Sequence, residues 1–195
     1  DVQWMTAGSG VLHKEYHEAE FSRRGGLFQM VQLWVNLPSR YKMTPPKYQE
    51  IIRDKMGWFS LPAEQGRIEV IAGSYQGVKG PASTFTPLEM YTARLKKGAR
   101  ADFRFPGHYN TGMLVVEGIV SINDQQAATD HFVLFRNDGT DVSLIADTDS
   151  VVLILSGEPI DEPIAQYGPF LMNTWKEVEE AMEDVNRGKF GVLED

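Results

Sequence analysis

The sequence predicts an all-β chain, a sandwich or barrel, with a single helix near its end. Three observations predict it. Short runs rich in β-branched and aromatic residues recur from residue 28 to residue 157. Clusters of Gly, Pro, Asn and Asp separate them at the even spacing of all-β folds. A helical repeat appears only once, close to the C-terminus.

Each element follows in order. Val2, Trp4 and Thr6 continue one strand, Ala7-Gly8-Ser9-Gly10 makes a turn, and Val11 to Glu15 resumes extended. FQMVQLWVNL (28–37) has the mixture of a half-buried strand. In SRYKMTPPKYQEI (39–51), Pro45 and Pro46 forbid a helix interior and favour extended chain. Strands are then expected at 67–73, 88–95, 101–105, 112–123, 131–135, 141–146 and 150–157. Their turns are Lys97-Gly98, Pro106-Gly107, Asn123-Asp124, Asn137-Asp138-Gly139 and Asp147-Thr148-Asp149-Ser150. The helix spans about 174–187: Thr174 caps it with Glu177 as the other half of a capping box. Trp175, Val178, Ala181, Met182 and Val185 repeat at helical period, and Gly188 stops it. Its plain role is to cover a sheet face or edge.

Composition narrows the function. The chain has 195 residues, enough for one large domain or two small ones. Nineteen Lys and Arg against 27 Asp and Glu give a formal charge of -8. That balance argues against direct nucleic-acid binding, which needs a basic surface. Arg94, Lys96, Lys97, Arg100 and Arg104 are close in sequence, but a solvated strand edge explains them more simply. Without cysteine there are neither disulfides nor thiolate metal sites, which suits the cytoplasm. No apolar run is long enough to span a bilayer, and no membrane role is expected.

The opening stretch carries the chemistry. On a strand, residues two apart share a face, so His13 and Glu15 point together while Lys14 points away. An imidazole and a carboxylate on one face suit Fe(II), Mn(II) or a similar divalent ion. From spacing alone a simple hydrogen-bonded pair is the better explanation, because two ligands do not close a site. His17 continues that face where the chain starts to turn.

Three segments in order change the balance: DVQWMTAGSGVLHKE (1–15), LFQMVQLWVNLPSRYKMTPPKYQE (27–50) and GEPIDEPIAQYGPFLMNTWKEV (157–178). Together they strongly resemble the pirin family. Pirins belong to the cupin superfamily and are built from two jelly-roll (double-stranded β-helix) barrels in tandem. The resemblance implies that His13 and Glu15 are iron ligands, with Glu15 also a candidate general base. It carries no ligand role to His17. It also implies two further histidines from an earlier His-Pro-His-Arg-type motif, and none stands before Asp1. The chain is therefore expected to be a truncated pirin with a partial N-terminal barrel, a complete C-terminal barrel and a terminal helix. Neither His108, in a turn, nor His131, at a strand start, is expected to replace the missing ligands.

The second barrel is expected to hold no metal. Aligning a metal-cupin pattern on Gly98 and Gly118 puts Arg104, Pro106 and Thr111 at ligand places, and the later motif puts Val142 at the last. A guanidinium is permanently charged and proline has no side-chain donor atom. The domains expected are 1–60 (barrel remnant), 61–157 (second barrel) and 158–195 (a tail whose helix packs back on the barrels).

Two functions stay open. The resemblance implies a mononuclear non-haem iron protein using Fe(II)/Fe(III), other divalent metals being alternatives, with quercetinase-type dioxygenase activity on a flavonol. Trp4, Met5 and Met30 are candidate pocket lining, though core packing is the simpler role for each. The other function is a regulatory protein whose iron redox state controls binding to a protein partner, in the cytoplasm, or in the nucleus as well in a eukaryote. A third expectation concerns this polypeptide: with an incomplete site it binds iron weakly or not at all, and open barrel edges promote self-association.

Overall fold

Residues 1–193 are described by a computed structural model, and they form two compact units. One comprises residues 1–4 and 48–159; the other comprises residues 5–47 and 160 onward.

The first unit is a jelly-roll of two facing sheets. Strands β1 (Val2–Thr6) and β2 (Lys47–Ile51) form a two-stranded sheet. The barrel strands are β3 (Gly57–Ser60), β4 (Gly66–Ala72), β5 (Ser74–Tyr75), β6 (Val78–Lys79), β7 (Leu88–Leu95) and β8 (Arg100–Arg104). After them come β9 (Asn110–Glu117), β10 (Ile119–Ile122), β11 (Gln125–Ala128), β12 (Phe132–Leu134), β13 (Asp141–Ala146) and β14 (Ser150–Gly157). The six-stranded sheet runs β12-β9-β14-β7-β4-β3, and the four-stranded sheet β11-β10-β13-β8.

Side chains turned to the space between the two sheets make the core, with clean alternation on β8 and β13 of the smaller sheet. Ile68, Val70, Ala93, Met113, Val115, Val152 and Ile154 face inward from the larger sheet and are fully buried. Phe103, Val120, Ile122, Val142 and Leu144 meet them from the smaller one. The larger sheet's opposite face has a second cluster of Ile51, Met56, Ile71, Ala72, Met90 and Leu153, with Val2 and Trp4 packed on it. Apolar groups on both faces explain why β4 is buried from Ile68 to Ala72.

Turn chemistry acts where the sequence places it. Asn123 and Asp124 take φ of 45° and 63°, the paired left-handed geometry of a tight hairpin, and they join β10 to β11. Gly118 breaks the expected 112–123 strand into β9 and β10. Its φ is 89°, and a Cβ there would lie 2.3 Å from Ser150 Oγ.

The second unit contains α1 (Ala19–Arg24), α2 (Ser39–Lys42), the hairpin β15 (Ala165–Tyr167) and β16 (Phe170–Met172), and α3 (Trp175–Asn186). The capping box of α3 is present, and Val178 is its buried residue. Lys42 is itself buried, donating to Asn36 Oδ1 at 2.6 Å, and burial lowers its pKa.

Three expectations fail here. Residues 28–37 are no strand: they are irregular, with Phe28 at 53% and Trp34 at 56% exposure. A strand holds only when its backbone finds a ladder partner, and none lies beside this segment among the described residues. Residues 11–15 likewise have no strand pairing. The 39–51 stretch is extended only from Lys47, because Pro38 sets up a short turn of helix before Pro45 and Pro46 end it.

Candidate metal centre

The His13 segment is positioned by two glycines. Gly8 (φ 54°) passes so close to Thr44 that a Cβ would lie 2.0 Å from its carbonyl oxygen. The next residue uses that proximity: Ser9 N–H donates to the Thr44 carbonyl at 2.9 Å. Gly10 closes the turn by donating to Ala7 O at 2.9 Å, and the Phe190 ring fills the place of its missing side chain. The chain that emerges carries His13 and Glu15.

These two side chains do converge, although no strand aligns them. His13 Nδ1 lies 4.0 Å from Glu15 Oε1, with the side chains 42% and 46% exposed. His17 turns elsewhere, into an aromatic group with Phe28 (4.6 Å between centroids) and Phe21 (5.7 Å). Glu18 follows as the cap of α1, accepting from Glu20 N and Phe21 N at 2.8 Å each. The Glu20 N–H, then that of Phe21, holds its carboxyl below the usual range. Sequence reading missed this helix, although Glu18 before AEFSRR is its signal.

The pair fits a metal site only in part. Bonds of about 2.1 Å at right angles put neighbouring donors about 3 Å apart. At 4.0 Å the pair stands wider than that, and among the described residues no group of three or more His, Asp or Glu is placed to hold a metal ion. The donor types fit a divalent cation, but the set fits half a site and not a closed one.

Trp4 packs on the apolar cluster of the larger sheet, while Met5 and Met30 are 37% and 60% exposed. His108 is edge-on to Tyr109, and His131 Nδ1 lies 3.0 Å from Ala128 O. In the barrel, Arg104 is exposed and meets Asp141 at 3.7 Å. Thr111 Oγ1 is 2.7 Å from Ser156 Oγ, a buried hydroxyl pair, and Val142 is in the core. Of the basic cluster, Arg94 pairs with Glu69 at 2.8 Å and Arg100 with Asp102 at 3.0 Å.

Comparison with known proteins then decides the family. The Pirin C-terminal cupin domain model matches residues 90–191, and the Pirin model matches residues 1–35. The chain belongs to the pirin family. As a pirin it has a partial N-terminal cupin and a complete C-terminal one, followed by the helix α3. A candidate quercetin 2,3-dioxygenase of Pseudomonas aeruginosa is 42% identical over 190 residues, 97% of this chain and 66% of that protein. Pirin-1 of Arabidopsis thaliana is 38% identical over 201 residues, 98% of this chain and 66% of that protein. A crystal structure of quercetin 2,3-dioxygenase from Acinetobacter baumannii has a TM-score of 0.94 at 46% identity, covering 98% of this chain and 67% of that one. This pirin chain thus spans about two thirds of the length of the relatives it matches.

Proposed function

We propose that this pirin chain carries half of the metal site of a quercetinase-type, flavonol-cleaving dioxygenase, with His13 and Glu15 as its iron ligands. The observation that carries the proposal is the convergence of an imidazole and a carboxylate on a glycine-positioned loop, 4.0 Å apart and open to solvent. The names of the Pseudomonas and Acinetobacter relatives support the reaction class. Iron, when bound, would supply a Lewis-acid centre with positions open to a flavonol oxygen and to O2. This chain's own contribution is narrower. His13 presents a ring nitrogen, and Glu15 presents a carboxylate that can also accept a substrate hydroxyl proton at Oε1. The donors that close the site would come from a longer chain, a second copy or solvent.

Oxygen uptake with quercetin tests this, using the iron-loaded chain and the same chain extended to the length of its relatives. Uptake by the extended protein, lost in Glu15→Gln, is expected. An iron-loaded extended protein that consumes no O2 with flavonols sinks the proposal.

One observation favours the regulatory alternative, which places this protein in contact with a protein partner. Leu27 is 90% exposed, within a stretch that also exposes Phe28, Met30 and Trp34. Pull-downs with iron-loaded and iron-free protein should then recover different partners, and equal partner sets would count against it.

A further inference from the structure

The C-terminal barrel holds a cavity of about 320 Å³ where β5 passes the edge strand β8. Alternation on β8 builds it: Phe103 points into the core while Asp102 and Arg104 are left at the rim. The floor is aromatic, made by Tyr75, Tyr91, Phe103 and Phe105. Phe103 and Phe105 are nearly parallel, 7° apart with centroids separated by 6.2 Å.

The walls are fixed before any ligand arrives. Tyr75 OH donates to the Asp102 carbonyl at 3.2 Å, tying β5 to β8. The Tyr91 hydroxyl lies between the Ser74 carbonyl, at 2.9 Å, and the Glu89 carboxylate. Burial, with Glu89 second, raises the Tyr91 pKa, so the phenol keeps its proton and remains a donor. Gly73 leaves the room that Glu89 occupies, since a Cβ there would lie 1.9 Å from Glu89 Oε2.

The rim selects the ligand chemistry. Asp102 is held by Arg100, whose Nε is 3.0 Å from both carboxylate oxygens. Asp141 accepts from Thr140 Oγ1 at 2.8 Å, and its contact with Arg104 is a loose 3.7 Å. The charges cancel in pairs. An anion drawn to Arg104 would face Asp141 and Asp102, and a cation drawn to Asp141 would face Arg104. A hydroxyl both donates and accepts, so it satisfies carboxylate and guanidinium together. Two adjacent hydroxyls match the two oxygens of one carboxylate, and a ring face matches the aromatic floor. The volume is at the low end for small-molecule sites, roughly 300–1,000 Å³, which suits one ring.

We propose that this cavity binds a small neutral ring bearing adjacent hydroxyl groups, a catechol or a cyclic polyol, with Asp141 and Arg104 as its polar contacts. It does not depend on the metal pair.

Calorimetric titration of the EDTA-treated 195-residue chain tests it, with catechol and myo-inositol as separate probes. Saturable one-to-one binding of at least one probe is expected, weakened about tenfold or more by Asp141→Ala and by Arg104→Ala. Binding should be unchanged in the His13→Ala/Glu15→Gln variant. Catechol alone would assign an aromatic ring, and inositol alone a saturated one. Both rim side chains are largely exposed (74% and 79%), so neither truncation disturbs the core. No saturable binding of either probe overturns the proposal, as does binding that both rim variants leave unmoved.

Discussion

At Gly8 the main chain runs closer to Thr44 than any side chain would allow. The glycine is there for φ of 54° and for a contact that a Cβ would close to 2.0 Å. Gly8→Ala should therefore destabilise the chain by at least about 1–3 kcal/mol, read from urea unfolding, and loosen His13 with it. An unchanged unfolding midpoint would contradict that. Glu162 is a second such residue. It accepts from Ser39 N at 2.7 Å, Ser39 Oγ at 3.2 Å and Asn173 Nδ2 at 3.0 Å. The Ser39 N–H holds its carboxyl below the usual 4.5. With the folded value lowered, its contribution is complete above pH 4.5 and is lost as pH falls through the folded value. Thermal unfolding between pH 6 and pH 3 should fall less steeply in Glu162→Gln than in wild type. Equal slopes would mean that Glu162 contributes nothing. The turn at Gly8 is legible in sequence, but its contact with Thr44, like that of Glu162 with Ser39, exists only in the folded chain.

Elements were legible where the signal was local. Thr174 and Glu177 are three residues apart, and the chain folds them into reciprocal contacts: Thr174 N–H donates to Glu177 Oε2 at 2.8 Å, and Glu177 N–H to Thr174 Oγ1 at 3.3 Å. Thr174→Ala should cost about 1 kcal/mol in chemical denaturation, and Thr174→Asp much less, since either side chain can cap. A full-sized loss in Thr174→Asp would point to packing instead. Asn123-Asp124 likewise announced a turn through residues that tolerate positive φ, although the strand β11 beyond it was not expected. The failure at 28–37 has the opposite cause. Composition reports that a stretch would suit a sheet, but a strand needs a neighbour, and FQMVQLWVNL has none among the described residues. The short strands β3, β5, β6, β11, β15 and β16 escaped notice because two to four residues cannot show a period.

For the whole molecule, the barrel expected at 61–157 was readable because β-branched and aromatic runs are punctuated by turn residues at even spacing. The barrel positions that a metal-cupin pattern would use carry an exposed arginine, a proline, a buried hydroxyl and a core valine. The pair proposed as ligands, His13 and Glu15, was paired by sequence spacing and is brought to 4.0 Å by a coil held at Gly8 and Gly10. Mn(II) titration followed by loss of the free-ion EPR signal measures the pair directly, without redox chemistry. The expected result is one weak site per chain that disappears in His13→Ala and in Glu15→Gln. Tight stoichiometric binding that survives both substitutions would contradict the assignment.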